Sequence, residues 1–133
     1  MSQVEKNKIL VVDDDRQIRQ LFLQMITISM PDIRVDVATN GKEAVTMFKE
    51  LDYNVIVMDV IMPVMDGEQA FHEIKKICTQ NNKEMPSVIF CTGYAPTNNI
   101  ISLADSDPRH YIVHKPVGNK GLVDVIKQRL VAE

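Results

Sequence analysis

Polar and charged side chains follow four short apolar runs of this 133-residue sequence, at the point where each run ends. ILVV is followed by Asp13, Asp14 and Asp15, VIVM by Asp59, VIFC by Thr92, and YIV by His114 and Lys115. If the acids converge, they repel: at ~4–5 Å and an effective dielectric near 20, each carboxylate pair costs about 3–4 kcal/mol. A fold tolerates that repulsion by protonating one acid or by binding a cation.

The residue types at these positions suit phosphoryl transfer. An all-oxygen cluster without His or thiolate favours a hard ion such as Mg²⁺, which keeps several waters and needs few protein ligands. Lys115 can neutralise an anion near Asp59, and Thr92 offers that anion a hydroxyl. In such chemistry the protein contributes mainly positioning and charge stabilisation. Asp59 is therefore predicted to be the nucleophile that forms an acyl phosphate.

These side chains can meet only if the apolar runs are strands of one sheet. Predicted strands cover residues 8–12, 33–38, 55–58, 87–91 and 110–113. The first, third and fourth are almost continuously apolar, which is typical of strands buried on both faces of a parallel sheet. Segments with apolar residues at helical spacing separate and follow them, the least regular lying around residues 97–104.

The alternation amounts to five β–α repeats, which predicts an α/β fold with a five-stranded, doubly wound parallel sheet. We expect strand order 2-1-3-4-5, the flavodoxin-like (βα)5 arrangement. Ligands then bind at the switch point between strands one and three, where Asp13, Asp14 and Asp59 are expected to converge. Asp14, Asn40 and Asp66 each precede Glu or Gln by three residues, which is typical of helix N-caps.

Composition narrows the class of protein. The chain fits one domain, and its net charge of −3 with scattered basic residues argues against nucleic acid as the main partner. No apolar run approaches the ~18 residues needed to span a membrane, and the polar start lacks the apolar stretch of a signal peptide. We therefore expect a cytoplasmic protein, with Cys78 and Cys91 as buried apolar residues.

Four motifs resemble the response-regulator receiver family of two-component signalling. They are ILVVDDD at 9–15, VIVMDVIMPVMDG at 55–67, CTG at 91–93 and HKP at 114–116. The resemblance implies a single receiver domain over residues 1–133, with a core of about 8–131, similar to single-domain chemotaxis regulators. Whether the chain is a natural single-domain regulator or part of a longer one stays open.

The resemblance also implies a role for each matching residue. Asp59 corresponds to the phosphorylated aspartate, and Asp14 to a direct ligand of Mg²⁺ or Mn²⁺. Asp13 corresponds to a neighbour that reaches the metal through water, and the backbone carbonyl of Ile61 to a further ligand.

The remaining family positions concern the switch that follows phosphorylation. Thr92 matches the switch hydroxyl, Lys115 the family's lysine, and the bond from Lys115 to Pro116 its cis peptide. The place of the switch aromatic is held by Ile112. The aromatic Tyr111 lies one residue earlier, where the period of two along a strand turns it to the other face.

The family accepts a phosphoryl group from a sensor histidine kinase or a histidine phosphotransfer protein, loses it slowly, and contacts a downstream protein target. The chain is thus expected to be a signalling phospho-acceptor rather than an enzyme, with no nucleic-acid or membrane partner of its own.

A phosphohydrolase is disfavoured, since Ile61 stands where that class has its general acid. A docking module without phosphorylation is disfavoured by the intact acids and lysine. A nucleotide-binding domain of the same fold is also disfavoured, because no glycine-rich phosphate-binding loop follows any predicted strand. The glycines are expected to lie singly in turns.

Overall fold

The structure, a computed structural model, describes residues 7–115 and 119–130. Strands and helices alternate along it, five of each. They are β1 (Lys8–Val12), α1 (Arg16–Ser29), β2 (Arg34–Ala38), α2 (Gly41–Glu50), β3 (Val55–Asp59), α3 (Gly67–Gln80), β4 (Ser87–Thr92), α4 (Asn98–Asp105), β5 (Tyr111–His114) and α5 (Asn119–Leu130). The predicted five β–α repeats are confirmed.

All strand pairs are parallel, and the sheet order is β2-β1-β3-β4-β5, as predicted. Val12 pairs with Met58, so Asp13 and Asp59, which follow them, lie side by side at the carboxyl ends of the strands. Strands β3 and β4 each run one residue further than expected, because Asp59 still pairs with Cys91 and Thr92 with His114.

Helices cover both faces of the sheet and bury its apolar strands. One core cluster unites β-strand residues with α2, α3 and α4 and includes Phe48, Phe71 and Phe90. The other unites the opposite face with α1 and α5 and includes Ile26 and Leu122. Every residue of β3 and β4 is buried, which makes the centre of the sheet a rigid platform. Within the described ranges, no helix is long and apolar enough to cross a membrane.

The helix caps confirm two of three predictions and correct the third. The Asn40 side chain accepts a hydrogen bond from the Glu43 N–H, and Asp66 forms a full capping box with Gln69. The prediction that Asp14 caps α1 is wrong, because Asp15 has the extended backbone of an N-cap and accepts from the N–H of Gln17. The Asp14 carboxylate is thereby left outside the cap.

Candidate functional site

Three carboxylates meet at the carboxyl ends of β1 and β3. Asp13 and Asp59 are buried and Asp14 is exposed, and one carboxylate oxygen from each lies within 4.8 Å of the other two. The register of β1 against β3 produces this meeting, since Val12 pairs with Met58 and each is followed by one of the two buried acids. The structure thus brings together all three acids that the sequence singled out.

Lys115 enters the same site from the end of β5. Its Nζ lies 2.9 Å from Asp13 Oδ2 and 3.4 Å from Asp59 Oδ1. Its backbone N–H donates to the Thr92 carbonyl at 2.8 Å, which fixes the lysine beside β4. Partial burial disfavours the charged amine, but the hydrogen bond and charge of Asp13, with the charge of Asp59, outweigh burial and raise the pKa of Lys115. The ammonium group therefore stays charged.

Opposing effects act on the pKa of Asp59. Burial and the neighbouring charge of Asp13 raise the pKa of Asp59 to about 6, against the pull of Lys115. One ammonium group thus compensates only part of the negative charge of three acids. A bound divalent cation would supply the rest, and the three carboxylates, with no His or thiolate in the cluster, fit Mg²⁺ or Mn²⁺.

A cleft of about 470 Å³ opens over these groups. It is lined by Asp13, Asp14, Asp15, Asp59, Ile61, Gly93, Tyr94 and Lys115. Ile61 is 59% exposed and Tyr94 68% exposed, so apolar and aromatic side chains form part of the rim. The charged groups and the partly apolar rim thus line one cleft.

Thr92 lies close to the acids but faces its own loop. The side chain is buried at the end of β4. Its hydroxyl accepts a hydrogen bond from the Tyr94 N–H at 3.1 Å and lies 3.3 Å from the Tyr94 carbonyl, to which it donates. Among the described residues, Thr92 is not one that lines the cleft. The one proton of the Thr92 hydroxyl is therefore donated to its own loop and not to the carboxylates.

The two candidates for the switch position lie on opposite faces of β5. Ile112 is half-buried and packs against the cluster that contains Phe90. Tyr111 is half-exposed on the other face, where the Arg129 guanidinium lies 5.5 Å from the centre of its ring. Tyr111 therefore does not share the face of Ile112, as the strand period predicts. The predicted cis peptide involves Pro116, which lies outside the described residues.

The prediction that the glycines lie in turns is wrong for two glycines near the site. Gly41 begins α2 and Gly67 begins α3. A Cβ on Gly67 would overlap the Asp59 carbonyl oxygen, and one on Gly41 would lie 2.5 Å from the Met65 carbonyl oxygen. Both glycines follow a capping residue directly, and glycine at a helix start is the signal that could have indicated a close backbone approach.

Comparisons with known proteins agree with this geometry. A family model described as the response regulator receiver domain matches residues 9–127. The chain is 30% identical over 125 residues to the chemotaxis protein CheY of Halobacterium salinarum, covering 94% of this chain and 98% of that protein. It is 51% identical over 72 residues to a protein-glutamate methylesterase/protein-glutamine glutaminase of Aliivibrio fischeri, covering 53% of this chain and 19% of that protein. The solved receiver domain of Francisella response regulator 1452 has a TM-score of 0.74 and 30% identity, with 93% and 96% of the two chains covered.

Proposed function

The chain belongs to the response regulator receiver domain family of two-component systems, and we propose that it works as a signalling phospho-acceptor in which Asp59 receives a phosphoryl group in a Mg²⁺-dependent reaction. The observation that carries the proposal is the position of Lys115 Nζ between the carboxylates of Asp13 and Asp59. This pairing puts a fixed positive charge beside a partly buried nucleophile within an acidic cluster, as phosphoryl transfer requires.

Asp59 is proposed to attack the phosphorus of a phosphohistidine. One carboxylate oxygen forms the new P–O bond while the P–N bond breaks and its electron pair returns to the imidazole nitrogen. The attacking form is the ionised carboxylate, and a pKa of about 6 leaves it predominantly ionised at neutral pH.

The surrounding groups are proposed to hold the charges of the reaction. Asp14, Asp13, Asp59 and the backbone carbonyl of Ile61 would bind Mg²⁺ or Mn²⁺, directly or through water. When bound, the ion neutralises charge on the carboxylates and the phosphoryl oxygens. Lys115 pairs with Asp59 in the free protein and is proposed to pair with a phosphoryl oxygen after transfer.

The signal is proposed to begin at Thr92. If its hydroxyl donates to a phosphoryl oxygen, it can no longer donate to the Tyr94 carbonyl. The loop between β4 and α4 then loses one of the bonds that hold its first residues, which biases a two-state surface. Ile112 has no hydroxyl or ring to follow that movement, so the Tyr94 loop is the better-supported first relay.

The partners follow from this chemistry. The donor is proposed to be a sensor histidine kinase or a histidine phosphotransfer protein, and the output a protein target. We further propose that the chain acts in the cytoplasm and that residues of about 8–131 form one receiver domain, which is supported by the single continuous sheet. The chain is proposed to catalyse only its own phosphorylation and slow dephosphorylation, as a signalling phospho-acceptor rather than an enzyme.

The test is incubation with a small-molecule phosphodonor and Mg²⁺, followed by intact mass spectrometry. Wild type should gain one phosphoryl group, and both Asp59→Asn and wild type with a chelator should gain none. Asp15→Asn is the matched control, because this acid lines the same cleft but serves as the α1 cap, and it should still react. An unreactive wild type would favour a docking module, and an adduct on Asp59→Asn would mean that another residue is the acceptor.

A further inference from the structure

The loop between β3 and α3, residues 60–66, contains the Ile61 carbonyl and has little regular structure of its own. The Val60 carbonyl accepts from the Gly67 N–H at 2.9 Å, and the Met65 N–H donates to the Pro63 carbonyl at 2.7 Å. The second bond encloses Val64 in a tight turn with φ at 69°, which is a strained conformation for a β-branched residue. A loop of this kind keeps its shape only when its surroundings constrain it.

The first residue of α2 supplies such a constraint from a distant part of the chain. The Gly41 N–H donates to the Met65 carbonyl at 2.9 Å. N–H groups in the first turn of a helix have no partner within the helix, so this donor is available to the loop, and the helix dipole favours the contact. The adjacent Asn40 side chain accepts from the Glu43 N–H and not from the Gly41 N–H. The Gly41 N–H is therefore the donor that contacts the loop at Met65.

The contact requires glycine. A Cβ added at Gly41 would lie 2.5 Å from the Met65 carbonyl oxygen and 3.0 Å from the Asp66 carbonyl oxygen. Both neighbours are backbone atoms, which cannot rotate away as the end of a flexible side chain can. Any side chain at this position must therefore separate the start of α2 from the loop or deform the loop.

We propose that Gly41 is a positioning residue for the metal site. By holding Met65 it holds the loop that presents the Ile61 carbonyl, and it thereby couples the start of α2 to Mg²⁺ binding at Asp13, Asp14 and Asp59. This inference rests on the proposed function, since it concerns the Mg²⁺ that phosphoryl transfer would use.

The test measures Mg²⁺ affinity by isothermal titration calorimetry at a temperature where each variant is fully folded. Gly41→Ala should weaken Mg²⁺ binding by about 10-fold, the lower end of what loss of an outer support costs a metal site. Ala44→Gly destabilises the same helix at a buried position without obstructing Met65, and should bind as wild type does. Gly121→Ala, where an added Cβ meets no atom within 4 Å, should also bind as wild type does.

A second measurement needs no variant. If the Gly41 contact and Mg²⁺ binding are coupled, Mg²⁺ must in turn stabilise the contact, and the amide hydrogen exchange of Gly41 in wild type should slow with Mg²⁺ more than that of Gly121. The inference would be overturned, with the proposed function unaffected, by any of three results. Gly41→Ala could bind Mg²⁺ as tightly as wild type, Ala44→Gly could lose as much affinity as Gly41→Ala, or the hydrogen exchange of Gly41 could be independent of Mg²⁺. A wild type that does not bind Mg²⁺ would overturn the proposed function as well.

Discussion

Replacing Asp59 with Asn should stabilise the metal-free protein, although the change removes the proposed phosphorylation site. Burial and the charge of Asp13 raise the pKa of Asp59 from 3.8 to about 6, and Lys115 does not cancel them. Because one pKa unit corresponds to 1.36 kcal/mol, the ionised carboxylate destabilises the folded state by about 3 kcal/mol. Asn has a similar volume and no charge. We expect the free energy of unfolding of the variant to exceed that of wild type by about 2–3 kcal/mol near neutral pH.

The extra stability of Asp59→Asn over wild type should increase as pH rises. Between the unfolded pKa of 3.8 and the folded pKa of about 6, the folded protein binds more protons at Asp59 than the unfolded chain does. The contribution of Asp59 to wild-type stability therefore falls as pH rises through this window and is constant above it. The difference between variant and wild type should be near zero below about pH 4 and complete above about pH 7.

Urea unfolding followed by far-UV circular dichroism, in chelator and across this pH range, measures the effect. Asp15→Asn is the control: Asp15 lines the same cleft but is not among the groups that shift the pKa of Asp59, and Asn can also cap a helix, so its replacement should leave stability near that of wild type. Saturating Mg²⁺ should narrow or reverse the stability difference between Asp59→Asn and wild type. A ligand stabilises the folded protein that binds it, and wild type retains all three carboxylates. An Asp59→Asn variant no more stable than wild type near neutral pH, or a gap independent of pH, would refute the electrostatic reasoning.

Three further predictions concern residues around the site and the sheet. His110→Phe should destabilise by about 1–3 kcal/mol in urea unfolding, because the buried His110 Nδ1 accepts from the Val88 N–H at 3.0 Å. Burial lowers the pKa of His110 from 6.5, so the unfolded chain binds a proton there more readily than the folded protein does. The stability advantage of wild type over His110→Phe should therefore shrink as pH falls below 6.5. An advantage that stays constant with pH would contradict this. Gly67→Ala should cost about 1–3 kcal/mol in the same assay because its Cβ would overlap the Asp59 carbonyl, and an unchanged midpoint would show that the backbone there can yield. Ile61→Asn should change the lifetime of the acyl phosphate, followed by loss of the phosphoryl mass, because Ile61 on the cleft rim cannot orient an attacking water; an unchanged half-life would count against this role.

The architecture of this protein follows from the pattern of its residues along the chain. Nearly continuous apolar runs in β1, β3 and β4 require a sheet covered on both faces, and helical spacing between the runs supplies the covering helices. Once the strand order follows, the residues after β1 and β3 must meet, which is why Asp13, Asp14 and Asp59 could be grouped in advance. Local patterns suffice here because strand and helix periodicity are properties of neighbouring residues.

The contacts among the grouped residues depend instead on how the elements pack. Which of two adjacent acids caps α1 depends on backbone angles, and these select Asp15 rather than Asp14. The hydroxyl of Thr92 turns to Tyr94, a choice that residue type does not reveal. The contact of Gly41 with Met65 joins the start of one helix to a loop two elements away. Such contacts depend on how elements distant in the chain pack, and the spacing of residues along one element carries no record of that packing.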